Sequence, residues 1–162
     1  MSYKFSEDQS LENARQNSTQ LYMQNVCPDT VTWDESFDYL TEVMNEDSHV
    51  RLEKYFTIIT HTAHHHLDKV KNFCAEIEKI ENRSGDVIDA HMYTGLTAMS
   101  ESIGEHHDVC EVIFWQCIGQ TEWTINRNDT YVMSPGDCIY IPKGMMHEVK
   151  SLSPRMGVSF GF

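Results

Sequence analysis

From Val87 to the C-terminus the chain is a succession of short β-rich runs cut by turn residues, at about 87–100, 108–117, 121–126, 130–134, 137–142, 146–151 and 156–162. The cuts are chemically marked: Asn126-Arg127-Asn128-Asp129 and Ser134-Pro135-Gly136-Asp137 hold residues that preset φ, permit positive φ or bond to their own backbone. No helix-length stretch separates these runs. Parallel strands need crossovers of a dozen or more residues, so the spacing favours a small barrel or sandwich over alternating strand and helix units.

The first half of the chain has a different texture. Residues 1–30 are polar, with Leu21, Tyr22, Met23 and Val26 as their compact apolar group, and suggest a loose arm that docks late. Thr32 caps an expected helix from Trp33 to about Met44, with Glu35 three residues after the cap and Trp33, Phe37, Leu40 and Val43 on one side. A β-rich run, Tyr55 to Thr60, precedes the clearest helical period, in which Leu67, Val70, Phe73 or Cys74, Ile77 and Ile80 recur over 66–80. Asn82 to Asp86 ends it. The 162 residues thus divide into a polar arm, 1–30, and one domain, 31–162, with a helical part at 33–81 and a barrel core at 87–162.

Charge and cysteines narrow the function classes. The formal charge is -13, from 25 acidic against 12 basic residues, with no basic cluster. Binding to nucleic acid or an anionic membrane relies on clustered Lys and Arg, so neither partner is expected. Cys27, Cys74, Cys110, Cys117 and Cys138 are odd in number and form no Cys-x-x-Cys pair, which fits a reducing, cytoplasmic setting. Cys110, Cys117 and Cys138 fall in apolar runs and are expected to be small buried hydrophobes. The sequence contains no apolar run of signal-peptide or bilayer-spanning length.

Two clusters carry chemistry. His147 stands just past the Pro142-Lys143-Gly144 turn that follows an apolar strand, so it is expected to point into the barrel. Some forty residues earlier, Glu105-His106-His107-Asp108 heads another apolar run. In an extended strand residues two apart face one side, so either His106 and Asp108, or His107 and Glu111, can join His147 around one ion. Two histidines and a carboxylate with open positions suit non-haem Fe(II). His64, His65 and His66 open a helix without a carboxylate at matching spacing and are not expected to be ligands. Trp115 and Trp123 suit core or pocket wall, and Tyr93, Thr97 and Tyr140 could line a pocket with hydroxyls.

With those residues in place, the segment from about 90 to 162 resembles the JmjC-type and cupin-like 2-oxoglutarate oxygenases, in particular the bacterial ribosomal-protein hydroxylases. The family's His-x-Asp motif, followed some forty residues later by His, falls on His106, Asp108 and His147. Its strand ending in Gln, then Gly and Trp, is echoed by Gln116, Gly119 and Trp123, and the run from Pro135 to His147 is similar to the second half of the family's site. The resemblance implies a mainly β fold, a double-stranded β-helix (the cupin or jelly-roll barrel) with N-terminal helices packed on one face. It also implies Fe(II) held by His106, Asp108 and His147, 2-oxoglutarate as small-molecule co-substrate, hydroxylation of an unactivated C–H bond, and a protein or peptide substrate. Small barrels of this kind commonly pair as homodimers.

One position departs from the family. A Lys or Arg commonly holds the distal carboxylate of 2-oxoglutarate about fifteen residues past the first ligand, where this chain has Thr121. A buried carboxylate needs a charge-assisted partner, so Arg155 is the preferred substitute, ahead of Lys143, Arg127 and the hydroxyls of Thr121, Tyr93 and Thr97. Glu105 also occupies the place of the first histidine in the general cupin motif. These departures leave two alternatives: a metal-binding cupin that does not use 2-oxoglutarate, and a non-enzymatic cupin-like binding or structural protein.

Overall fold

The computed structural model describes residues 3–44, 50–53, 56–81, 89–100 and 102–162. They form helices α1 (Gln9–Asn17), α2 (Trp33–Val43) and α3 (Asp68–Glu81). The strands are β1 (Leu21–Met23), β2 (Val50–Glu53), β3 (Thr57–Thr60), β4 (Asp89–Gly95), β5 (Val112–Ile118), β6 (Thr121–Ile125), β7 (Asp129–Met133), β8 (Cys138–Ile141), β9 (His147–Ser151) and β10 (Arg155–Gly161). The larger sheet runs β1-β8-β5-β10-β4-β3-β2 and the smaller one β7-β6-β9, with antiparallel pairing throughout. The strand-rich half and its helical cover thus have the mainly β architecture expected, with the helices on one face. No helix among the described residues is long and apolar enough to cross a membrane.

Period-2 alternation divides the larger sheet's side chains between two cores. On β5 and β8, Val112, Phe114, Ile139 and Ile141 face the smaller sheet and pack with Trp123, Ile125, Met133 and Val149. Their neighbours Ile113, Trp115, Cys117, Cys138 and Tyr140 face the helices, with Ala90, Met92, Met156, Val158 and Phe160 from β4 and β10. Phe73 of α3 stacks on Phe160, centroids 4.3 Å apart and planes 6° apart, and on Trp115 at 5.0 Å, which locks that helix to the sheet.

Two expectations from the sequence are revised. Residues 1–30 are not a loose arm over their described length. Asp8 caps α1 by accepting from the Ser10 and Leu11 amides at 2.8 and 3.2 Å, Leu11 and Ala14 are buried, and β1 pairs with β8. Polar fasteners complete the attachment: Tyr22 Oη donates to Asp137 at 2.7 Å and the Asn25 amide to the same carboxylate at 2.8 Å. Apolar residues this sparse give no periodic signal, whereas polar anchors of this kind become visible only with their partners. The buried face of α2 is Ser36, Tyr39, Leu40 and Val43, and Phe37 is exposed, stacked instead on Trp33. Tyr39 takes the inward place because its hydroxyl donates to the His61 carbonyl at 3.0 Å.

The capping box at Thr32 is present in both directions. The Glu35 amide donates to Thr32 Oγ1 at 3.3 Å and the Thr32 amide to the Glu35 carboxylate at 2.7 Å. Loss of an N-cap costs about 1 kcal/mol, so Thr32→Ala should lower the melting temperature by roughly 2–4 °C in a circular dichroism melt. The expected run at Tyr55–Thr60 is observed as β3 from Thr57, and Tyr55 and residues 82–88 lie outside the described residues.

Candidate metal centre

The expected strand at 108–117 begins only at Val112. His106 instead forms a one-rung bridge to His147, each amide donating to the other's carbonyl at 2.9 and 2.8 Å. This rung extends the smaller sheet beyond β9, after which residues 107–111 cross to the larger sheet. Asp108 lies in that crossover, where its carbonyl accepts from the Gly144 amide at 2.9 Å. A backbone rung and a crossover therefore bring the first cluster to the second, in place of one regular strand.

Ligand-type atoms of His106, Asp108 and His147 all lie within 4.8 Å of one another, and His147 Nε2 is 3.5 Å from Asp108 Oδ2. The tautomers are set by the backbone: His106 Nδ1 lies 2.8 Å from the Gly104 carbonyl, and His147 Nδ1 lies 3.0 Å from that of Met145. An Nδ1–H donated to a carbonyl leaves the Nε2 lone pair available and fixes the ring, as metal-binding imidazoles require. The His147 ring is buried and stacks on Trp123, centroids 5.6 Å apart. Burial lowers its pKa below the ordinary imidazole value, the carbonyl of Met145 and Asp108 pull it back up, and nearby His106 pushes it down. The neutral, ligating form is favoured. Two imidazoles and one carboxylate fit a ferrous ion with positions left open.

The other register is not assembled. His107 is exposed, and Glu111 turns toward the helical side, where Arg15 Nε donates to it at 2.8 Å. Glu105 is held at the surface by both forks of Arg127, at 2.7 and 2.8 Å.

A cavity of about 130 Å³ opens over the three residues, walled by Val112, Phe114, Trp123 and Val149. Arg155 lines it at 1 % exposure. Its Nε donates to Ser151 Oγ at 2.7 Å, and that hydroxyl donates to the Ser100 carbonyl at 2.8 Å, while one terminal guanidinium nitrogen is buried with no hydrogen-bond partner. Burial brings its pKa down to about 10, partly offset by Tyr93, so it is a cation at neutral pH. Gly95 stands opposite Arg155 in the ladder, and a Cβ there would come within 2.8 Å of Ser100 and 3.4 Å of the arginine stem. The glycine clears the space that the guanidinium chain occupies.

Tyr93 also lines the cavity. Thr121 and Thr97 do not. Thr121 is fully buried, donating to Gln116 Oε1 at 2.8 Å, and Thr97 closes a local turn by accepting from the Met99 amide at 3.1 Å. Tyr140 faces the helices, and Lys143 is exposed. Missed in the sequence were Asp89 and His91, which share the inward face of β4 with Tyr93 and line the same cavity. Their signal was the alternation Asp89-x-His91-x-Tyr93 inside the β-rich run expected at 87–100.

Comparison with known proteins agrees with this architecture. The JmjC domain family profile matches residues 126–162, a stretch that includes His147 and Arg155. Among curated proteins no match was found. The chain is similar to an X-ray structure of Escherichia coli YcfD, with a TM-score of 0.71 and 16 % identity over 100 % of this chain and 54 % of that one. It is also similar to the ribosomal oxygenase YcfD from Escherichia coli in complex with cobalt and succinic acid, with a TM-score of 0.69 and 17 % identity over 89 % of this chain and 48 % of that one. For the complex of that enzyme with cobalt and 2-oxoglutarate the values are 0.68 and 17 %, over 88 % and 47 %. The chain thus spans about half the length of these structures, and at such identity the likeness is one of fold.

Proposed function

We propose that the chain carries the core of an Fe(II)- and 2-oxoglutarate-dependent oxygenase that hydroxylates an unactivated C–H bond. The observation that carries the reading is Arg155: a buried guanidinium with an unpartnered nitrogen, in the cavity that also holds His106, Asp108 and His147. A desolvated cation without an anion is costly, and a dicarboxylate that chelates iron at one end and meets Arg155 at the other supplies the missing charge. Arg155 thereby takes the part left vacant by Thr121. Its fixed fork suits a planar carboxylate. When bound, iron with 2-oxoglutarate and O2 supplies the oxidising power that C–H hydroxylation demands, with succinate and CO2 as by-products.

The protein's own contribution is position and exclusion. His106 and His147 would present Nε2 to the metal, each oriented through Nδ1 by a backbone carbonyl, and Asp108 would supply the carboxylate. Phe114, Trp123, Val112 and Val149 keep water from the reacting end. The substrate is proposed to be a basic protein or peptide, supported by the charge of -13 and by likeness to a ribosomal oxygenase. Free cysteines throughout fit a cytoplasmic site of action.

The test is anaerobic addition of Fe(II), then 2-oxoglutarate, to the metal-free protein. Chelation should give a weak visible charge-transfer band, and admission of O2 should convert 2-oxoglutarate to succinate. Iron bound without a band would make the protein a metal cupin that does not use this co-substrate. No iron bound at all would make the cluster structural.

A further inference from the structure

A second group of ligand-type side chains lies outside the centre just described. Asp89 and His91 are two apart on β4 and so face the same side. In the antiparallel β3–β4 ladder Thr60 is opposite Met92, so the next residue along, His61, arrives beside His91, with ring centroids 4.0 Å apart. Ligand-type atoms of His61, Asp89 and His91 all lie within 4.8 Å of one another. His91 Nε2 is 2.5 Å from Asp89 Oδ2, and His61 Nδ1 is 3.9 Å from the same oxygen.

We propose that His61, Asp89 and His91 form a second metal site that takes a divalent, borderline-soft ion of the zinc class. Two imidazoles and one carboxylate are the donor set of open zinc centres, in which water or an incoming group fills the fourth position. Ligand atoms about 2.1 Å from a tetrahedral ion lie roughly 3.4 Å apart, so side-chain rotations that open the His91–Asp89 pair and draw His61 inward would complete the site. The side chains of His61, Asp89 and His91 are 35 %, 57 % and 28 % exposed, against 3 % for His147, so solvent reaches this site directly. Asp89 and His91 also line the cavity that leads to His147, which puts the two sites on one cavity at different depths.

The site is independent of the oxygenase reading, and metal counting separates the two. The metal-free chain would be titrated with Co²⁺, as a spectroscopic stand-in for Zn²⁺, and the retained metal measured by elemental analysis. The expected result is two ions for the wild-type chain, one for His61→Ala/His91→Ala and one for His106→Ala/His147→Ala. Asp89→Asn, which keeps side-chain size, should weaken only the outer ion, at least tenfold. If the His61→Ala/His91→Ala variant does not fold, the His106→Ala/His147→Ala variant still decides, because it must keep one ion that Asp89→Asn weakens. A single ion in the wild-type chain, lost in His106→Ala/His147→Ala, would overturn the outer site and leave the inner one standing. Two ions retained in His61→Ala/His91→Ala would overturn it as well. One ion that survives His106→Ala/His147→Ala but not Asp89→Asn would support the outer site and remove the inner one.

Discussion

His147→Ala should abolish both the 2-oxoglutarate-dependent visible band and succinate formation, while His107→Ala leaves both at wild-type level. Neighbours that only orient a ligand already change metal affinity or activity by about 10–100-fold. Removing one of three ligands should therefore weaken iron by more than about 100-fold. The control is informative because His107 adjoins His106 in sequence but is exposed, outside the triad. The band is the proper readout, since it reports 2-oxoglutarate chelated to the metal and not metal content alone. His147 is also buried against Trp123, so far-UV circular dichroism of the metal-free variant must show an intact fold. A band of wild-type intensity in folded His147→Ala would refute the proposed centre.

Arg155→Met should leave iron stoichiometry unchanged and weaken 2-oxoglutarate by about 10–100-fold. Hydrogen bonds to charged groups contribute about 1.5–3 kcal/mol, and each 1.4 kcal/mol is tenfold in affinity. Arg155→Lys should recover part of the loss, because it restores charge without the planar fork. Stability should move the other way. An uncompensated buried cation is unfavourable, so methionine in its place should keep or raise the melting temperature of the unliganded protein. A purely structural arginine would show the opposite pattern, with lower stability and unchanged co-substrate affinity. Isothermal titration and a thermal melt on the same two variants separate these cases.

Much of the barrel was legible because its strands are short, β-rich and cut by residues with a conformational reason to turn. Pro135-Gly136 and Pro142-Lys143-Gly144 bracket β8 and deliver His147 to the interior with little ambiguity. The upstream half of the site was less legible. Two registers were compatible with Glu105 to Glu111, and neither spacing nor composition chose between them. The choice is made by tertiary partners: Arg15 draws Glu111 to the helical side, and the backbone rung to His147 turns His106 inward. Arg15 lies in the segment expected to be a loose arm, so the ambiguity at the site and the misjudged arm have a common origin. Arg155 was legible only as a substitute for the cation missing at Thr121, because its burial depends on Gly95 and Ser151, which carry no signal of their own.

The rung between His106 and His147 has a mechanical consequence. Two of the three proposed ligands share one pair of reciprocal amide bonds, so their backbones cannot separate without both bonds opening together. Asp108 is tied through its carbonyl to the Gly144 amide, a bond that places no such constraint on its carboxylate. The centre therefore behaves as a fixed jaw of two imidazoles and one adjustable finger. Differences in ionic radius, or in the number of groups an ion carries, would be absorbed at Asp108 while the imidazole spacing stayed constant.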